Sequence, residues 1–99
     1  MFALVVRFEL RDDQSAARFD ELTRQAVDQI RRAEPGTLVY ATHTVAGAPL
    51  SRVFYEVYAD EAAFQEHEKA AHVIAFHAAK DPLLTSQRVE FLVPHVAEH

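Results

Sequence analysis

The stretch RVFYEVYADEAAFQEHEKAAHVIAFH, Arg52 to His77, decides the fold, because an aromatic strand runs through a helix start into three histidines. Val53, Tyr55 and Val57 alternate with Phe54, Glu56 and Tyr58, so neither side of the strand is simply polar and both are expected to be covered. Asp60 can cap the free N–H groups of a following helix, and Glu61 adds negative charge where the helix dipole favours it. Phe64, His67 and Ala71 then recur at spacings of three and four, which points an imidazole at the sheet. Beyond Ala70 the pattern restarts at Val73, Phe76 and Lys80, which predicts a kink or break in the helix.

Upstream of this stretch, Phe2, Leu4, Val6, Phe8 and Leu10 form one apolar side of a first strand. Arg11-Asp12-Asp13 supplies capping side chains, and Phe19, Leu22, Ala26, Ile30 and Ala33 mark the apolar stripe of a long helix. Glu34-Pro35-Gly36 ends that helix, and Thr37 to Val45 reads as a second strand. Ala46 to Ser51 reads as a loop, with a third strand over Arg52 to Ala59. Asp81-Pro82 stops the last helix, and Gln87 to Val96 reads as the final strand, its paired part ending near Pro94. The order β-α-β-β-α-β is the ferredoxin-like α+β pattern, a four-stranded antiparallel sheet with both helices on one face.

The 99 residues form one domain with a small core, 49% of them hydrophobic and 25% charged. The uncovered sheet face then predicts a homodimer packed sheet to sheet. Cysteine is absent, which removes disulfides, thiolate nucleophiles and sulfur-ligated metals together. A net charge of −5 argues against a nucleic-acid partner. Arg7 and Glu9 interrupt the opening apolar run, so neither a leader nor a membrane span is expected, and the chain reads as cytoplasmic.

EPGTLVY (Glu34 to Tyr40) followed by YEVYADEAAFQEHEKAAH (Tyr55 to His72) resembles the antibiotic-biosynthesis monooxygenase family over nearly the full length. That resemblance implies a dimeric α+β barrel of the kind that includes cofactor-independent quinol oxygenases. It also implies site positions at Glu56, His67 and His72, with Tyr58 standing where many members carry tryptophan. Other members degrade haem or isomerise small phosphorylated metabolites. The haem-degrading pattern of asparagine, tryptophan and histidine falls here on Arg7, His67 and His77, and only His77 matches it. An isomerase would need cations such as Arg7, Arg52 or Arg88 pointing inward. A non-catalytic ligand-binding dimer is the remaining alternative.

Oxygenation without metal or flavin requires a pocket that orients an acidic phenol, a base that makes its electron-rich anion, and dry space for O2. An imidazole suits the base, since its ordinary pKa of about 6.5 lies near working pH. His67 is the candidate base, with Glu56 expected beside it as the orienting carboxylate. Tyr55, Tyr58, Phe64, His72, Phe76 and Arg7 are the candidate substrate contacts, with O2 as co-substrate. No metal is expected, because His67, His72 and His77 are five residues apart and helical ligand pairs stand four apart. Gly36 and Gly47 are the only glycines, too few for a phosphate loop, so no nucleotide cofactor is expected.

Overall fold

The computed structural model describes residues 1–96. Strand β1 (Phe2–Leu10) lies centrally between β3 (Ala48–Tyr58) and β4 (Leu84–Leu92), and β2 (Thr37–Val45) completes the sheet in the order β2-β3-β1-β4. All neighbours are antiparallel, and the helices α1 (Asp13–Ala33), α2 (Glu61–Lys69) and α3 (Ala71–Lys80) cover one face. This is the expected ferredoxin-like α+β arrangement.

The capping residues act as the sequence suggests. Asp12 accepts from Ser15 N at 2.7 Å and Asp60 from Ala63 N at 2.8 Å, each meeting a donor that the first helical turn leaves free. The restart beyond Ala70 is a real break: Ala70 is extended, with φ −64° and ψ 136°, between α2 and α3. The core is aromatic, with Phe8, Phe19 and Phe54 meeting at ring-centre distances of 4.8 to 5.7 Å. Emptying its centre by Phe19→Ala would cost about 3 to 5 kcal/mol.

Two boundaries differ from the expectation. The loop between β2 and β3 is only Ala46-Gly47, since Val45 already pairs with Ala48 and Gly47 adopts φ +77°, which glycine tolerates best. A register shift between Thr44 and Val45 accommodates Pro49 before β3 begins pairing with β1 at Ser51. β4 starts at Leu84 and ends at Leu92, because the short 3₁₀ turn Asp81–Leu83 delivers the chain directly into the ladder. Pro94 lies beyond it. His99 falls outside the described residues.

The Glu34-Pro35-Gly36 turn is pressed against α2. A Cβ on Gly36 would stand 2.8 Å from the Ala63 Cβ, so only glycine allows this approach. Ala59 N also donates to Gly36 O at 2.9 Å, which fixes the turn beside the start of α2.

Candidate functional site

Strand pairing decides which side chains can meet beneath the helices. Leu4 stands opposite Glu56 and Val6 opposite Phe54, so Phe54, Glu56 and Tyr58 share the helix-covered face with Leu4, Val6 and Phe8. Between this face and α2–α3 lies a cavity of about 540 Å³, walled largely by apolar and aromatic side chains such as Phe8, Phe64, Phe76 and Phe91. Its polar groups are Tyr40, Glu56, His67, Glu68, His77, Lys80, Asp81 and Gln87. A second cavity of about 560 Å³ lies between the Glu34–Thr37 turn and the α2–α3 break, and His67 borders both.

His67 is 3% exposed, and its ring lies tilted against Tyr58 at 5.1 Å and Tyr40 at 5.8 Å. Its partner is Glu34 rather than the expected Glu56: His67 Nδ1 is 2.6 Å from Glu34 Oε1, and His72 Nε2 is 2.5 Å from Glu34 Oε2. Thr37 Oγ1 donates to Glu34 Oε1 at 2.7 Å. Burial pushes the Glu34 carboxyl up, but the hydrogen bonds from Thr37, His67 and His72 outweigh it and hold the group below its ordinary value. Glu34 is therefore an ionised acceptor, and His67 Nδ1 must carry the proton it shares. In the neutral ring the lone pair is then on Nε2, across the ring from Glu34.

Glu56 has a different partner, the Tyr58 hydroxyl, which donates to its Oε1 at 2.5 Å. Burial pushes the Glu56 carboxyl up to about 7, against the lowering effect of that hydrogen bond, and the Glu68 charge adds to the rise. Burial and then the Glu56 charge hold the Tyr58 phenol far above its ordinary value, so it remains a donor. The cavity thus holds a carboxyl poised between its two states near neutral pH and an imidazole whose Nδ1 faces the Glu34 carboxylate. Glu68 is held below its ordinary value by the His77 side chain, which lies 3.6 Å away.

Of the residues expected at the site, His67, Glu56, Phe64 and Phe76 line the first cavity, Tyr58 supports Glu56 from behind, and His72 lines the second cavity. Tyr55 and Arg7 do not reach either. They occupy the opposite sheet face, because adjacent strand residues alternate sides, and Tyr55 is 41% exposed there. Arg7 is held by Glu9 at 2.7 Å and by Ser51 at 3.1 Å. The sequence reading missed Glu34, Tyr40, Glu68 and Lys80. Glu34 stood in the resembling run EPGTLVY, the one signal that could have marked it. Among the described residues no group of three or more His, Cys, Asp or Glu side chains has a metal-holding arrangement. Among the described residues no helix is long and apolar enough to cross a membrane.

The model of the antibiotic biosynthesis monooxygenase family matches residues 1–79. No curated protein matches the chain by sequence. Among solved structures, a Caulobacter crescentus protein provisionally assigned as an antibiotic biosynthesis monooxygenase is 23% identical, with 92% of this chain and 86% of that one covered at a TM-score of 0.86. A Mycobacterium tuberculosis protein is 25% identical over 99% of this chain and 98% of its own, also at a TM-score of 0.86. A Pseudomonas aeruginosa protein is 24% identical over 96% and 94% of the two chains, at a TM-score of 0.81.

Proposed function

This chain belongs to the antibiotic biosynthesis monooxygenase family, and on that premise we propose that it oxygenates a small aromatic hydroxy compound with O2, without a bound cofactor. The observation that carries the reading is the Glu34–His67 pair, which leaves a basic imidazole nitrogen at the edge of an aromatic cavity large enough for such a substrate.

His67 Nε2 takes the hydroxyl proton, and the Glu34 carboxylate stabilises the imidazolium that forms, as the carboxylate does in catalytic triads. The ring anion passes one electron to O2, and the resulting radical pair joins through a new C–O bond at a ring carbon bearing hydrogen. Return of the proton from His67 gives a hydroperoxide. Glu56, as carboxylate, removes the remaining hydrogen of that carbon as a proton while the O–O bond breaks. The hydroxide leaving takes that proton as water, and the ring carbon becomes a carbonyl. One atom of O2 enters the product, the other leaves as water, and the substrate supplies all four electrons.

The phosphorylated-metabolite alternative is less well supported. Arg7 and Arg88 pair across the ladder on the outer sheet face, and Arg52 is engaged by Asp20 at 2.8 and 3.0 Å and by the Pro49 and Ser51 carbonyls. None of the three lines the aromatic cavity, where Lys80 is the one lysine or arginine and stands among Glu56, Glu68 and Asp81. The same proposal includes a homodimer joined through the outer face, where Val39 and Tyr55 stay exposed in the single chain, and a cytoplasmic setting. Oxygen uptake by the untagged protein with a panel of hydroquinones and naphthols tests the reaction, with catalytic uptake expected for at least one. Uptake no faster than the uncatalysed oxidation of every compound would sink it.

A further inference from the structure

Lys80 ends α3 on the same buried stripe as Val73 and Phe76, and its side chain is 2% exposed. Its Nζ donates to Asp81 Oδ1 at 2.6 Å and to Gln87 Oε1 at 2.8 Å, and it stands 5.6 Å from the centre of the Phe8 ring. A lysine ammonium has three N–H donors. Among the described residues only two acceptors bond it, which leaves one donor on a buried charge that lines the aromatic cavity. An unmatched donor in apolar surroundings costs free energy that an incoming acceptor recovers.

Asp81 also borders the cavity and offsets only part of this charge. Its side chain is 65% exposed and therefore screened by water, whereas the Lys80 ammonium is not. Glu68, the other carboxylate near this end, is already paired with His77. The ladders set the spacing: Glu56 stands opposite Leu4 and Gln87 opposite Phe8, so the two polar ends are four β1 residues apart, about 13 Å along the strand. The family match stops at residue 79, so Lys80 and Gln87 lie in the part of the chain it leaves out.

We infer that Lys80 is a specificity-determining residue that receives the carboxylate of a hydroxyaryl carboxylic acid, the hydroxyl of which points toward His67 and Glu56 at the other end of the cavity. This rests on the aromatic-substrate reading of the same cavity. The test is calorimetric titration of the whole protein with 2-naphthoate and with 2-naphthamide. Neither probe carries a hydroxyl, so binding is read apart from oxidation. Wild type should bind 2-naphthoate about tenfold or more tighter than the amide, the scale of one charge-assisted hydrogen bond. Lys80→Met should erase that preference while leaving amide binding nearly unchanged, and Lys80→Arg, which keeps the charge, should retain it. Equal binding of the two probes by wild type overturns this inference alone, and that comparison stands even where Lys80→Met does not fold. A preference that survives in folded Lys80→Met overturns it as well. Binding of neither probe overturns the aromatic-cavity reading and this inference with it.

Discussion

Glu34 Oε1 lies 2.6 Å from His67 Nδ1, which ties the end of α1 to the buried side of α2 across 33 positions of chain. The carboxylate dictates the imidazole tautomer without lining the aromatic cavity itself. Glu34→Gln keeps the size and one acceptor but loses the charge that stabilises an imidazolium. Its kcat is expected to fall roughly 10²- to 10⁴-fold, the scale of a general base that loses its orienting carboxylate charge, with KM nearly unchanged. Steady-state kinetics alongside circular dichroism checks this, and a fall confined to KM would assign Glu34 to substrate contact instead.

Glu56 gives the fold a pH dependence of definite sign. Its carboxyl is raised from 4.5 to about 7 on folding, so the native state holds the proton more tightly than the unfolded chain. The stability this contributes is fully present below pH 4.5 and is lost as pH rises through about 7. The size is on the order of 3 kcal/mol. Glu56→Gln, which still accepts from Tyr58, removes this titration. Compared with wild type, the variant should gain stability steadily between pH 5 and pH 8 in urea unfolding. Parallel pH profiles for the two proteins would show that Glu56 is solvated more than its burial implies.

The position of Tyr55 also separates two roles. On the outer face it can touch a second subunit but not the cavity of its own chain. Tyr55→Glu should weaken the dimer at least ~30-fold, the scale of an interface hot spot, with the fold of the single chain unchanged. Sedimentation of both proteins at micromolar concentration reads this directly. A wild type that sediments as a monomer would remove the outer face as an interface.

Local chemistry made most of the fold legible. Asp12 and Asp60 as caps, the Pro35-Gly36 stop, the alternation in β1 and the break at Ala70 are each set by neighbours within a few residues. Strand parity is legible too: Tyr55 and Glu56 are adjacent, so they cannot face one cavity, and the same holds for Arg7 beside Val6 and Phe8. The partner of His67 was not legible in this way. Glu34 reads locally as a helix terminus, and only the close packing of Gly36 on Ala63 carries its carboxylate to the two histidines. Lys80 stood on the buried stripe with Val73 and Phe76, but its acceptor on β4 depends on tertiary packing.

The most direct test of the central claim is oxygen uptake, with ¹⁸O2 labelling of the product, by wild type and His67→Ala, each matched to its melting curve. With His67 as the base, wild type places one labelled atom in the product, and His67→Ala loses roughly 10² to 10⁴ in turnover per folded molecule. Equal turnover per folded molecule in the two proteins, with the variant merely less stable, would contradict the account and leave His67 as a core residue held by Glu34.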